Sequence, residues 1–215
     1  MSSDASAIAS HDALDPARLR TVFDGKKIFV GVTGGIAAYK ACTIVSRLAQ
    51  AGASVTVAMT ESATRFVTPL TFQALSARPV YTSQWQHVES QDPQHIALAT
   101  QADAALVAPC TMDCLARLVT GRADDVVTLI LSAVDRTRTP VLLAPAMNSV
   151  MWAQPATQRN VRQAVEDGYQ IVGPGEGWQA CRHVGAGRMS EPEQIVAALA
   201  EAVRASSQRR RATTA

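Results

Sequence analysis

The sequence has little of what several classes of protein require. Its four cysteines include no C-x-x-C pair, so nothing indicates a zinc site or a disulfide framework, and a reducing, cytoplasmic setting is expected. Aromatic residues make up 5% of the chain, too few for a base-stacking surface, and no apolar run is long enough to cross a bilayer. A net charge of +2 gives no bulk attraction to nucleic acid or to a membrane. We therefore expect no nucleic-acid partner, no membrane association and no metal.

The 215 residues, 47% of them hydrophobic and 18% charged, are typical of one soluble globular domain. Residues 1–25 have no basic start and no apolar block, so they are not a secretory signal and are expected to form a flexible arm. Residues 26–205 are predicted to form the domain. Residues 206–215, a polar basic tail, are expected to be solvated and disordered.

Strand and helix patterns alternate along the domain, which predicts an α/β fold with a doubly wound parallel sheet. The predicted strands are Lys26–Thr33, Ser54–Met59, Ala102–Ala108, Val141–Ala144 and Tyr169–Val172. The predicted helices are Ile36–Ala51, Ala63–Ala77, His95–Thr100, Cys114–Thr120, Asp124–Val134, Pro155–Asp167 and Glu191–Ala205.

A glycine turn follows the first strand. Gly34 and Gly35 lead directly into a helix, an arrangement that places backbone N–H groups against a phosphate. No acidic residue ends the second strand, which disfavours a dinucleotide with a ribose-binding acid and favours a mononucleotide such as FMN. Thr60 and Ser62 would then supply hydroxyl groups. The alternative is a glycine turn that serves only tight packing.

The stretch VLLAPAMNSVMW, residues 141–152, combines a buried strand with a polar amide in an apolar frame. Asn148 lies among Met147, Met151 and Trp152, at the end of the strand where open α/β sheets bind their ligands. The alternative is an ordinary helix N-cap, a position that asparagine favours.

Three other segments carry candidate functional side chains. A loop over Pro109–Asp113 offers Thr111 and Asp113, and the glycine-rich stretch Gly173–Ser190 is predicted to be a lid that brings Cys181, His183 and Arg188. His95 begins a short helix, which suits a neutral base. Each has a plainer alternative: a surface or core histidine, a tolerated loop thiol and a surface arginine.

Five segments together resemble one family, the homo-oligomeric flavin-containing cysteine decarboxylases. This family includes phosphopantothenoylcysteine decarboxylase and the lantibiotic peptidyl-cysteine decarboxylases. The segments are VTGGIAAYK, APCTMD, HIAL, APAMNSVMW and ACRHVGAGRM, and the resemblance covers about Lys26 to Ala205. APAMNSVMW matches the family's P-x-M-N-x-x-M-W signature at every fixed position. The resemblance implies a flavodoxin-like (Rossmann-like) fold in a single domain, FMN bound at a subunit contact, and trimers assembled into dodecamers.

The resemblance also implies roles for individual residues. His95 and Asn148 match the active-site histidine and the asparagine that holds the substrate carboxylate, and Cys181 matches the cysteine of the substrate clamp. FMN would contact Gly34, Gly35, Ile36, Thr60, Ser62, Pro109, Cys110, Thr111, Asp113 and Ala146. The substrate would contact Asn148, Met147, Met151, Trp152, Cys181 and Arg188.

The implied activity is the FMN-dependent oxidative decarboxylation of a C-terminal cysteine to an enethiol, on a lanthipeptide-type precursor peptide. Arg182-His183 stands where the coenzyme A branch has Gly-Asp, and we expect no fused synthetase half; both points favour the peptide branch. Cys181 and Gly187-Arg188-Met189 favour the alternative, a phosphopantothenoylcysteine decarboxylase. A flavin prenyltransferase and a non-catalytic flavin-binding regulatory protein are further alternatives, against which Asn148 argues.

Overall fold

A six-stranded parallel sheet lies at the centre of the protein, which a computed structural model describes for residues 15–86, 94–178, 182 and 184–214. Its strands are β1 (Lys27–Val32), β2 (Ser54–Met59), β3 (Val80–Tyr81), β4 (Ala104–Cys110), β5 (Val141–Pro145) and β6 (Gln170–Ile171). Two further strands, β7 (Gly175–Trp178) and β8 (Val184–Arg188), form a separate antiparallel pair.

Helices cover both faces of the sheet, and for this reason β4 and β5 are buried along their whole length. One face carries α1 (Pro16–Phe23), α2 (Ala38–Gln50), α3 (Pro69–Ser76) and α9 (Pro192–Thr214). The other face carries α4 (Gln94–Gln101), α5 (Met112–Val119), α6 (Val126–Ser132) and α8 (Pro155–Glu166), while the short α7 (Ser149–Ala153) follows β5. Residues Ala63–Arg65 form a single 3₁₀ turn. None of the described helices is long and apolar enough to cross a membrane.

The strand order is β3-β2-β1-β4-β5-β6, and every neighbouring pair is parallel. The expected α/β doubly wound sheet is therefore confirmed, in the six-stranded Rossmann order. Because the chain leaves β1 toward β2 and leaves β4 toward β5, a crevice opens between the carboxyl ends of β1 and β4. The fold thus places its ligand-binding position at this switch point.

The residues before the sheet differ from the flexible arm expected for residues 1–25. Pro16–Phe23 form a helix whose first turn is capped by Asp15, which accepts a hydrogen bond of 3.0 Å from the backbone N–H of Ala17. Leu19, Val22 and Phe23 are buried in the core against α2 and α9. This tertiary burial orders a segment too short to be stable as an isolated helix.

The C-terminal residues also differ from expectation, because α9 continues as a helix to Thr214 rather than ending in a disordered tail. Ser206 is buried, and its hydroxyl donates to the carbonyl oxygen of Arg138 at 2.8 Å. Arg210 donates to the same carbonyl and lies 3.7 Å from a carboxylate oxygen of Asp103. These bonds fix the end of α9 to the amino edge of the sheet.

The glycine-rich stretch expected to be a lid loop forms the hairpin strands β7 and β8. Arg182 adopts a left-handed backbone conformation with φ 64°, the region that glycine enters most easily. Cys181 and His183 lie outside the described residues. Strand pairing also runs further than expected after β4, because Pro109 and Cys110 belong to the strand and Cys110 is in register with Pro145.

Phe23→Ala tests whether α1 belongs to the folded domain. Phe23 is fully buried, so the substitution should lower the free energy of unfolding by about 3–5 kcal/mol, measured by chemical denaturation. Arg20→Ala, on the exposed face of the same helix, should change it by no more than about 0.5 kcal/mol. Equal effects of the two substitutions would contradict the packing of α1.

Candidate active site

A cleft of about 1240 Å³ lies at the carboxyl ends of β1, β4 and β5. Its walls come from the glycine turn before α2, the start of α5, the segment that precedes α7, and the base of the β7–β8 hairpin. Pockets for single small ligands measure roughly 300–1,000 Å³. The cleft is therefore large enough for a nucleotide together with a second molecule.

At the bottom of this cleft, a buried hydroxyl joins two neighbouring strands of the sheet. Thr33, 1% exposed, donates from its Oγ1 to the carbonyl oxygen of Pro109 at 2.6 Å, and it accepts from the backbone N–H of Thr111 at 3.1 Å. These two bonds join the end of β1 to the end of β4 across the switch point. Because the carbonyl oxygen of Pro109 is buried and the N–H of Thr111 is partly buried, these bonds to Thr33 stabilise the crevice in its observed shape.

The glycine turn has the geometry of an anion site. A Cβ atom on Gly34 would lie 2.3 Å from the Cβ of Ser62, so only glycine allows the turn to approach the end of β2 this closely. Ala37 precedes α2 at the N-cap position and gives no side-chain cap, and the first turn of α2 has no acidic residue. An uncapped helix N-terminus that faces a cleft suits a phosphate, because its N–H groups and the helix dipole both favour negative charge.

Hydroxyl groups and exposed apolar side chains surround this turn. Thr60 and Ser62 line the cleft beside the glycines, and Thr111 lines it from the N-cap of α5. Ile36 and Tyr39 also line it, each 60% exposed. A phosphate side with hydroxyl donors and an apolar rim fits the FMN expected from the sequence.

Asn148 lines the cleft and is also the N-cap of α7. Its Oδ1 accepts from the backbone N–H of Val150 at 2.8 Å. The alternative interpretation from the sequence, a helix cap, is therefore correct as well. Because this bond commits the oxygen to the helix, a ligand that met this side chain would meet its amide N–H groups, which can only donate.

The base of the hairpin lies directly beside Asn148. The backbone N–H of Met147 donates to the carbonyl oxygen of Gly187 at 2.9 Å, which pairs the segment before α7 with the end of β8. Arg188 follows Gly187 and lines the same cleft. Its guanidinium contacts the carboxylate of Glu191 at 2.6 Å. An amide and a cation thus line the same cleft, on two segments that a backbone hydrogen bond joins.

The opposite wall, formed by α5 and the loop before α6, is acidic. Arg117 forms ion pairs with Asp113, Asp124 and Asp125, and all four side chains line the cleft. Burial lowers the pKa of Arg117, but the hydrogen bond to Asp113 and the three carboxylates outweigh it, so the pKa lies above its ordinary value. Arg122 also pairs with Asp124, so two arginines meet three carboxylates and the group keeps one net negative charge.

Two buried thiols lie beneath this acidic wall. Cys114 has its pKa raised well above that of an ordinary thiol, first by its side-chain hydrogen bond with Cys110 and then by burial. It therefore stays protonated at neutral pH and is not a thiolate nucleophile. Cys110 is fully buried in β4.

The protein family described as Flavoprotein matches residues 17–204. The chain belongs to this family. The resemblance indicated by the sequence motifs is thereby confirmed, and the match includes α1, which the motifs did not cover.

Among curated proteins, this flavoprotein is similar to the coenzyme A biosynthesis bifunctional protein CoaBC. It is 47% identical to the Bacillus subtilis protein over 175 residues, which are 81% of this chain and 42% of that protein. It is 48% identical to the Mycolicibacterium smegmatis protein over 170 residues, 79% of this chain and 40% of that protein. The chain thus spans less than half the length of these relatives.

Among solved structures, the flavoprotein resembles a PPC decarboxylase mutant complexed with pantothenoylaminoethenethiol. The TM-score is 0.74 at 27% identity, covering 81% of this chain and 96% of that one. It also resembles the FMN-dependent cysteine decarboxylase SpaF, with a TM-score of 0.71 at 28% identity, covering 85% and 97%. The similarity extends over nearly all of both neighbours.

The cleft of the flavoprotein brings together most of the residues expected from the sequence: Gly34, Gly35, Ile36, Thr60, Ser62, Thr111, Asp113, Ala146, Met147, Asn148, Met151 and Arg188. Pro109 and Cys110 lie buried in β4, below the cleft surface. Trp152 is half-buried on α7, and His95 is half-buried at the start of α4; neither lines the cleft. Cys181 lies outside the described residues, so its expected role stays a prediction.

Sequence reasoning missed four residues that shape the site: Thr33, Lys40, Arg117 and Glu191. Thr33 offered a signal, because a hydroxyl at the end of an apolar strand needs a partner. The other three are charged residues on amphipathic helices or at their ends. Their local pattern is that of a solvated face, and only the structure shows that Lys40 and Arg117 line the cleft and that Glu191 contacts Arg188.

Gly34→Ala tests the close approach that shapes the turn. The new Cβ would overlap Ser62, so the free energy of unfolding of the flavin-free protein should fall by about 1–3 kcal/mol. Gly35→Ala is the matched control, because its Cβ would lie 3.6 Å from Thr111, an ordinary contact, and stability should change little. Chemical denaturation of both variants checks this, and equal losses would show that the packing described for Gly34 is wrong.

Proposed function

We propose that this chain is an FMN-dependent decarboxylase that removes the carboxyl group of phosphopantothenoylcysteine. The observation that carries the proposal is the single cleft, which joins a phosphate-type glycine turn to the fixed amide of Asn148. The identity of 47–48% to the CoaBC proteins favours the coenzyme A substrate over a peptide. The peptide substrate preferred from the sequence alone stays a prediction.

The chain's own residues would hold the flavin at one end of the cleft. Gly34, Gly35 and Ile36 place the N-terminus of α2 at the FMN phosphate, and Thr60 and Ser62 add hydroxyl donors. The cofactor, when bound, supplies the acceptor for the hydride that leaves the cysteine Cβ. Thr33 keeps the floor of the cleft closed beneath it.

The other end would orient the substrate carboxylate. Asn148 would present its amide N–H groups, Arg188 would supply positive charge, and Met147 and Met151, which line the same cleft, would exclude water. Holding the carboxylate here fixes the bond to be broken relative to the flavin. Once the cysteine is oxidised to a thioaldehyde, that group accepts the electrons of the bond to the carboxylate, and CO2 leaves.

His95 would act on a neighbouring copy of the chain. It lies outside the cleft of its own chain, whereas Ile36, Tyr39 and Trp178 at the rim of that cleft are each at least 60% exposed. Exposed apolar side chains around a site are typical of a surface covered by a partner. We therefore expect FMN at a subunit contact in a trimer-based dodecamer, with His95 as base or orienter of the adjoining site.

Cys181 would belong to a clamp that closes over the substrate from the hairpin. The departure from Gly-Asp at Arg182-His183 argued against this clamp, because arginine resists left-handed backbone. Arg182 nevertheless adopts φ 64°. The conformation that glycine would permit is therefore retained, and the objection to the coenzyme A substrate weakens.

A cysteine-ended precursor peptide is the second candidate substrate. The hairpin presents Trp178, 62% exposed, and Val184, 73% exposed, beside the mouth of the cleft. Such an apolar surface could hold the residues that precede a C-terminal cysteine. The similarity to SpaF supports the same reaction class.

Mass spectrometry of the products separates these functions. After incubation with the flavin-loaded protein, phosphopantothenoylcysteine should lose CO2 alone, because the enethiol is reduced again before release. Loss of CO2 plus two hydrogens from a cysteine-ended peptide, with phosphopantothenoylcysteine unchanged, would replace the proposal with the peptide function. Bound flavin without turnover of either substrate would favour the non-catalytic alternative.

A further inference from the structure

One carboxylate joins two cations at the base of the hairpin. The Oε1 atom of Glu191 lies 2.6 Å from the guanidinium of Arg188, and its Oε2 atom lies 3.0 Å from the Nζ of Lys40. The Lys40 side chain is only 8% exposed, whereas those of Arg188 and Glu191 are about half-exposed. Glu191 therefore connects a buried cation to a cation that reaches the cleft.

Lys40 fixes the position of this carboxylate. Its Nζ also donates to the carbonyl oxygen of Met189 at 3.3 Å, so one buried ammonium holds both the segment after β8 and the Glu191 side chain. Lys40 belongs to α2, a helix that begins at the glycine turn. The guanidinium of Arg188 is thus connected, through Glu191 and Lys40, to the helix that forms the phosphate side of the cleft.

The three side chains leave one positive charge unbalanced. Two cations share one carboxylate, and Arg188 lines the same cleft as Asn148, where the backbone of Met147 bonds that of Gly187. An arginine that uses part of its fork on Glu191 retains other N–H donors for a second carboxylate. The arrangement suits an anion held by Arg188 in the cleft that it lines.

We propose that Glu191, fixed by Lys40, is a positioning residue that orients Arg188 toward the α-carboxylate of the substrate's terminal cysteine. This inference rests on the proposed function, but only on the cysteine end that phosphopantothenoylcysteine and a precursor peptide share. Glu191 itself does not contact the substrate. It acts through the direction in which it holds the Arg188 guanidinium.

Glu191→Asp tests this role without changing the charge. The shorter side chain cannot reach both Lys40 and Arg188, so the arginine loses its fixed direction. Glu193→Asp is the matched control, because Glu193 lies two residues further on, in the first turn of α9, and pairs with Arg47 at 2.6 Å, away from the residues that line the cleft. Arg188→Lys, which keeps the charge but not the fork, serves as a second variant.

Binding to the flavin-loaded protein is measured by calorimetry with serine analogues, which lack the thiol and so do not turn over. The phosphopantothenoylserine acid is compared with its carboxamide. Glu191→Asp and Arg188→Lys should each raise the Kd of the acid about tenfold and leave that of the carboxamide unchanged. Glu193→Asp should change neither Kd by more than about twofold.

Equal weakening of acid and carboxamide would overturn the proposal, since it would indicate either a merely structural role or recognition of the phosphate. So would an unchanged Kd for the acid in Glu191→Asp. A serine-ended peptide, as acid and carboxamide, is tested in parallel. If the wild-type protein binds only the peptide, the proposed coenzyme A function fails. The role of Glu191 is then tested by comparing the Kd values of the peptide acid and the peptide carboxamide in the same variants.

Discussion

The rest of the site depends on the hydrogen bonds of Thr33, which join the carboxyl ends of β1 and β4. β1 and β4 are neighbours in the sheet, yet the chain leaves them in opposite directions, and a side-chain connection joins the segments just beyond their paired residues. The Thr33 hydroxyl supplies that connection by bonding Pro109 and Thr111. The glycine turn on one side and the start of α5 on the other then face a common space, which is the cleft.

The two walls of the cleft carry opposite net charge, which favours one orientation of a charged substrate. Arg117 is outnumbered by carboxylates on the α5 wall, whereas Lys40 and Arg188 outnumber Glu191 on the hairpin wall. A substrate with a carboxylate at its reacting end would be repelled by the first wall and attracted by the second. The charge distribution therefore favours the same orientation that the amide of Asn148 favours.

The sequence predicted those elements whose formation depends on a few neighbouring residues. The strands, the glycine turn and the Asn148 segment are of this kind, and the structure brings the last two into one cleft. The order of α1 and of the end of α9 could not be predicted, because both depend on burial against distant elements. The Lys40–Glu191 pair spans 151 positions of sequence, and nothing local to either residue indicates the other.

The account depends most directly on the amide of Asn148, and Asn148→Asp tests it. Aspartate caps a helix as well as asparagine, so the unfolding temperature and the flavin content should match those of the wild type. It lacks the amide donor and would repel a carboxylate, so the decarboxylation rate of phosphopantothenoylcysteine should fall about a hundredfold or more. Full turnover by a normally folded, flavin-loaded variant would contradict the account.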